Sequence, residues 1–237
     1  VALTFPSTPL SARSGNTVVT GLPLRAAIAD LATRREDAQG AAQARREAAE
    51  RLGVNPDAPT LLVTGGSLGA LHVNESMTGA ADALPEGAQV VHLTGRGKDE
   101  AVRAAVEAAG LSDRWHVIDY LTTMEDALAV ADLVVCRSGA GTVAEMEALG
   151  LPCMYVPLPI GNGEQRLNAS DHVAAGGAQL IDDKDFTADF VRRNVFPLLG
   201  STRLADMAAA SQSLGRAGAA RALADLALEQ VKEAGHE

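Results

Sequence analysis

Thr60-Leu61-Leu62-Val63-Thr64-Gly65-Gly66-Ser67-Leu68-Gly69-Ala70 sets an apolar run, a glycine-rich turn and the mouth of a helix in direct succession. A strand that passes through glycines into a helix is the opening of one strand–helix unit of a parallel sheet. The same order recurs downstream. Gln89-Leu93, Trp115-Tyr120, Leu133-Cys136, Cys153-Val156 and Gln179-Ile181 are short apolar runs separated by amphipathic or Ala-rich stretches. The alternation predicts an α/β fold, a Rossmann-like parallel sheet flanked by helices. Runs rich in Val, Leu and Ile without strict polar alternation fit strands buried on both faces. Such a sheet holds ligands beyond the carboxyl ends of its strands, so function is sought in the loops that follow them.

Upstream of this stretch the pattern is weaker. The first ~55 residues are too few for a domain of the usual size. They hold an apolar opening, a Ser/Gly/Asn loop around Ser11-Asn16, a short strand Val18-Thr20, the turn Leu22-Pro23-Leu24-Arg25 and a charged Ala-rich helix near Ala41-Leu52. Beyond Asp185 the pattern is wholly helical. The last helix, Gly218-Ala234, places Leu223, Leu226, Ala227 and Val231 on one face. That face either packs on this sheet, the plainer reading, or crosses to a neighbouring domain.

Of the 237 residues, 47% are hydrophobic, 3% aromatic and 21% charged, which excludes a disordered or fibrous chain. Twenty Lys and Arg against thirty Asp and Glu leave a net charge of −10, which repels a phosphate backbone, so nucleic acid is not an expected partner. Cys136 and Cys153 lie far apart inside apolar runs, as reduced buried thiols of a cytosolic protein do. No apolar run has the roughly 20 residues of a membrane span, and the chain opens without Met, as a fragment of a longer protein does.

Four features carry possible chemistry. In the turn Thr64 to Ala70, glycines let the main chain approach a ligand, and free N–H groups at the helix mouth favour an anion. It is neither a P-loop, for want of Gly-Lys-Ser/Thr, nor a dinucleotide fingerprint, for Thr64 stands where the first Gly belongs. A tight strand-to-helix turn needs the same glycines for geometry alone. A second turn, Arg137-Ser138-Gly139-Ala140-Gly141-Thr142-Val143-Ala144-Glu145, contains a T-x-x-E capping box. On the residues alone the cap is the favoured role of Glu145, with ribose hydroxyls as the functional alternative, and Arg137 serves a local carboxylate as readily as a ligand. Third, the Pro- and Gly-containing loop Pro157 to Asn168 offers Glu164, Gln165 and Asn168, donors and acceptors suited to sugar hydroxyls or to ordinary polar surface. Fourth, Arg25 on its proline turn suits a pyrophosphate, though a lone Arg is more often a solvated surface residue. His72, His92, His116, His172 and His236 show no ligand spacing, so neither a metal site nor a covalent nucleophile is expected.

Together, Thr64 to Ala70 with Asn74, the string Cys136-Arg137-Ser138-Gly139-Ala140-Gly141-Thr142-Val143-Ala144-Glu145, Gly150-Leu151-Pro152 and Gln165-Arg166-Leu167-Asn168-Ala169 resemble the C-terminal half of the MurG family. These are the bacterial N-acetylglucosaminyltransferases of peptidoglycan synthesis, in the GT-B glycosyltransferase superfamily. The resemblance runs from about Gly15 to Leu228. It implies a donor domain for UDP-N-acetylglucosamine (UDP-GlcNAc) over residues 17–237, with residues 1–16 as the remnant of an acceptor domain and its connector.

Carried onto this sequence, the resemblance places Gly66, Ser67 and Gly69 at the pyrophosphate with Arg25 nearby. The main chain of Leu121 reads the uracil edge. Ala140, Gly141, Thr142, Val143 and Glu145 hold the ribose and phosphates, with the Glu145 carboxylate on the ribose hydroxyls, and Gln165 bonds the GlcNAc hydroxyls. Capping and ribose binding need not exclude each other, since a carboxylate has several lone-pair sites. The implied reaction moves GlcNAc with inversion from UDP to the muramoyl 4-hydroxyl of lipid I, giving lipid II. It needs no cofactor or metal, because N–H donors stabilise the departing β-phosphate. The family's base and acceptor loop, G-G-T-G-G-H, have no match here, so no catalytic residue is assigned and donor binding without turnover is expected. Glu164 stands where many relatives have the first Gln of a Gln-Gln pair.

The full-length protein is implied to lie at the cytoplasmic face of the cell membrane, through the missing half, and this chain to be soluble. An apolar patch left at the former cleft implies self-association. Competing readings are another UDP-sugar GT-B transferase, a non-catalytic UDP-sugar-binding subunit with a separate partner, and a dinucleotide-binding oxidoreductase domain.

Overall fold

The computed structural model describes every residue apart from Ser67, Leu68, Gly161, Ala217 and 235–237. Eight strands are found among the described residues: β1 (Ala2–Leu3), β2 (Val18–Val19), β3 (Thr60–Thr64), β4 (Gln89–Leu93), β5 (Trp115–Ile118), β6 (Leu133–Cys136), β7 (Cys153–Tyr155) and β8 (Ala178–Leu180). Strands β3 to β8 form one parallel sheet in the order β5-β4-β3-β6-β7-β8. The α/β expectation holds, and each expected strand lies within a residue or two of its place.

Alternation of side chains gives each face of the sheet its own core. Leu62, Val91, Val134, Cys136, Cys153 and Tyr155 face one way, towards α1 (Ala26–Arg34), α2 (Ala38–Leu52), α5 (Met124–Val130) and α6 (Ala140–Leu149). Leu61, Val63, Val90, Leu133, Val135 and Met154 face the other, towards α3 (Leu71–Thr78), α4 (Glu100–Ala108) and the helical stretch after Asp185. Burial on both faces is why these runs lack polar alternation.

Helix ends follow local chemistry. Asp37 caps α2 by accepting from Gly40 N–H at 2.8 Å, and Gly53 and Gly150 end α2 and α6 in the left-handed conformation that glycine adopts freely. The opening segment packs on this domain: β1 pairs with β2, Leu3 and Phe5 are buried, and Ser7 N–H bonds Asp171. The final helix (Ala219–Ala234) does not pack on the sheet as the plainer reading held. Ala219 is buried, but Leu223, Ala227, Leu228 and Val231 of its described side chains are exposed.

The strand order reverses between β3 and β6: the chain runs outward through β4 and β5, returns to β6, then runs outward the other way. Connections diverge at such a point and leave a crevice above the strand ends.

Candidate functional site

At that crevice, four post-strand turns and α6 enclose a cavity of about 230 Å³. Thr64 ends β3 and Gly66 follows it, Leu93 ends β4 and Gly95 follows it, and Asp119, Tyr120 and Leu121 follow β5. Cys136 and Arg137 close β6, while Thr142, Glu145 and Met146 project from α6 and Arg25 from the start of α1.

The capping box does not form. Helix α6 starts at Ala140 with Gly139 as its cap and no side-chain cap bond, so Thr142 lies inside the first turn. Glu145 instead accepts both ends of the Arg25 guanidinium, Nε at 2.8 Å and Nη2 at 3.0 Å. Glu145 is largely buried and Arg25 is half exposed, so the pair stands at the cavity rim, and the carboxylate raises the Arg25 pKa above its ordinary value. Without a side-chain cap, the N–H groups of Ala140, Gly141 and Thr142 have no partner among the described residues, and the first helical bond is Val143 N–H to Gly139 O at 3.0 Å. Unpaired amides at the positive end of a helix make an anion site.

Of the residues expected at the ligand, Arg25, Gly66, Leu121, Thr142 and Glu145 line this cavity. Ala140 and Gly141 form the adjoining helix mouth. Val143 does not fit: its side chain is fully buried in the core and its N–H is spent within the helix. Gly69 packs beneath the turn, where a Cβ would meet Thr94 O at 2.0 Å with φ at +66°, so glycine is required there by contact. Ser67 lies outside the described residues.

Gln165 opens on a second cavity of about 350 Å³, with Leu158, Arg166, Asp182 and Lys184. Its Oε1 accepts from Ser138 N–H at 3.3 Å and Leu158 N–H at 3.0 Å, joining the turn after β6 to the loop after β7. Asn168 Nδ2 donates to Ser138 O at 3.1 Å. Arg137 is committed structurally, donating to Val156 O, Pro157 O and Asp183 Oδ1 at 2.9, 3.1 and 2.5 Å. The turn after β6 and the loop after β7 therefore meet through hydrogen bonds, and the expected site residues fall on two cavities, the turn after β3 lining the first and Gln165 the second.

Sequence reasoning passed over Asp119, Tyr120, Met124 and Gly95, all of which line the first cavity. Tyr120 carries the Arg96 guanidinium 3.9 Å above its ring centroid. Their signal was positional, since each follows a strand of the sheet.

A model of the glycosyltransferase family 28 C-terminal domain matches residues 60–223. The chain belongs to this family. The UDP-N-acetylglucosamine--N-acetylmuramyl-(pentapeptide) pyrophosphoryl-undecaprenol N-acetylglucosamine transferase of Bifidobacterium longum (strain DJO10A) is 45% identical over 240 residues, covering 94% of this chain and 60% of that protein. The enzyme of the same name from Bifidobacterium adolescentis is 50% identical over 192 residues, covering 76% and 48%. The crystal structure of Acinetobacter baumannii MurG matches with a TM-score of 0.74 at 26% identity, covering 95% of this chain and 58% of that one. The chain thus spans about three-fifths of the length of these relatives or less, and as a glycosyltransferase family 28 C-terminal domain it has the sheet of the C-terminal half of the GT-B fold. In this family 28 domain no helix among the described residues is long and apolar enough to cross a membrane.

Proposed function

We propose that this chain is the donor half of an inverting N-acetylglucosaminyltransferase and binds UDP-GlcNAc in the cavity where the strand order reverses. The observation that carries the reading is the row of unpaired N–H groups at Ala140, Gly141 and Thr142 beside the Arg25–Glu145 pair. The diphosphate lies against these amides and the turn after β3, with Arg25 supplying positive charge. Glu145 keeps lone pairs for the ribose hydroxyls while bound to Arg25. Uracil lies against Leu93, Leu121 and Met124, its polar edge on the main chain of Leu121, and GlcNAc extends toward Gln165.

As the glycosidic bond breaks, charge gathers on the β-phosphate, and the fixed amides stabilise it without reorganising. The attacking hydroxyl, that of lipid I, and the base that activates it belong to the portion of the relatives this chain does not span. Residues 1–16 are the remnant of that portion and its connector, and that portion also brings the full protein to the cytoplasmic face of the bacterial membrane. The chain alone therefore binds donor without turnover.

Calorimetric titration tests this reading. UDP-GlcNAc binding more tightly than UDP-glucose, TDP-sugars and NAD is the expected result; equal or tighter binding of a competitor contradicts it.

A further inference from the structure

Beneath the first glycine-rich turn lies a chain of buried polar groups with no part in the reading above. Trp115 Nε1 lies 3.2 Å from His92 Nδ1, His92 Nε2 lies 3.0 Å from Asn74 Oδ1, and Asn74 Nδ2 lies 3.1 Å from Thr94 O. Trp115, His92, Asn74 and Thr94 are each at most 3% exposed.

The direction of every bond is fixed. An indole N–H only donates, so His92 Nδ1 accepts and the imidazole proton sits on Nε2. Nε2–H then donates to Asn74 Oδ1, which leaves the Asn74 amide to donate to the Thr94 carbonyl. A second proton on His92 would face the indole N–H, and burial holds the group neutral, with its pKa lowered to about 3. Both ends of the chain bear on the site. Asn74 lies in the first turns of α3, and Thr94 O is the atom against which Gly69 closes the turn. Gly95, next along, lines the cavity.

We infer that Trp115, His92 and Asn74 form a one-way hydrogen-bond relay that fixes Thr94 O and, packed against it, Gly69 of the turn after β3, with His92 a positioning residue for the diphosphate of the donor. The inference rests on the donor-site reading. It separates two parts of the ligand: the relay ends at Thr94 O, against which Gly69 of the turn after β3 closes, whereas the polar edge of the base is met by the main chain of Leu121 after β5. Loss of the relay therefore weakens contact with phosphate and leaves contact with the nucleoside.

The test compares UDP with uridine on the 237-residue chain. His92→Leu removes both bonds and is expected to weaken UDP binding about tenfold, the worth of roughly one hydrogen bond, while uridine affinity changes less than about twofold. His92→Gln retains an Nε2–H donor toward Asn74 and is expected to recover most of the UDP affinity. Equal losses for both ligands, no loss of UDP binding, or no rescue by Gln would overturn the relay. Where His92→Leu fails to fold, the wild-type chain decides through nitrogen NMR of its imidazoles. A single Nε2–H tautomer of His92, with the Trp115 indole proton shifting on UDP but not on uridine, is expected; an Nδ1–H form or an unmoved indole proton overturns the relay. A wild-type chain that binds neither UDP nor uridine fails at the donor-site reading itself, and the relay's role falls with it.

Discussion

Glu145 accepts from two nitrogens of Arg25, and neither group caps the helix that carries the carboxylate. Because Arg25 is half exposed, the pair itself adds little stability, about 0–1 kcal/mol. Glu145→Ala is expected to weaken UDP binding by about 1–3 kcal/mol, through loss of charge-assisted bonds to ribose, with almost no change in melting temperature. Calorimetry beside a thermal melt separates the two; a stability loss without an affinity loss would restore the capping role. The T-x-x-E pattern misled because it presumes that Thr142 precedes the helix, whereas Gly139, in extended backbone, already starts it three residues earlier than the box requires.

Glu147, two residues on, behaves differently. Burial and the nearby Asp171 raise its carboxyl pKa to about 7, with Arg216 opposing, and its Oε1 has no partner among the described residues. A carboxyl raised in the folded state favours folding below its unfolded pKa near 4.5, and that contribution is lost as pH rises through about 7. Glu147→Gln is therefore expected to stabilise by about 1 kcal/mol near pH 8, the shift discounted for solvent screening, and to be neutral near pH 5. Denaturant melts at both pH values check this, and a gain at the lower pH alone contradicts it.

Elements show where glycine serves contact and where it serves the ligand. Gly69→Ala drives a Cβ into Thr94 O at a positive φ and is expected to cost on the order of 3 kcal/mol. Gly141 lies within α6 with nothing in reach of an added Cβ, so Gly141→Ala is expected to stabilise by about 0.5–1 kcal/mol. Its methyl stands before the unpaired amides, so UDP affinity falls while stability rises; a variant that is stabler and binds normally would move the phosphates elsewhere. Strands β3 to β8 were legible because burial on both faces leaves unbroken apolar runs such as Leu61-Val63 and Leu133-Cys136. Hidden from view was the order β5-β4-β3-β6-β7-β8, since neighbours in a parallel sheet are set by crossovers rather than by local sequence. Asp119, Tyr120 and Met124 escaped for the same reason: no motif marks them, and only the sheet brings β5 within reach of β6's turn. The amphipathic pattern of the last helix specified a face but not what covers it.

For the molecule as a whole, buried imidazoles set the acid limit. His92 is held near 3, and His172, between Tyr155 Oη and Ser211 Oγ at 2.8 Å each, near 4, both by burial. Unfolded, each titrates near 6.5, so the stabilisation is complete above that pH and is lost as pH falls toward 4 and then 3. Stability is expected to decline by up to ~1.4 kcal/mol per pH unit for each group below about pH 6.5, and a flat profile between about pH 7 and 5 contradicts it. Leu71, Tyr120, Leu158, Ile160 and Leu167 are exposed on the loops and helix starts that surround the strand ends. Concentration-dependent self-association is expected from such a surface, and a strictly monomeric sedimentation profile at high concentration argues against it.

The central claim, one nucleotide cavity at the reversal of strand order, is tested most directly by following backbone amide resonances of the isotope-labelled chain during a UDP titration. Gly66, Leu121, Ala140, Gly141, Thr142 and Glu145 are expected to shift together along a single saturating curve. Shifts confined to the loop Pro157 to Gln165, or none at saturating UDP, would contradict it.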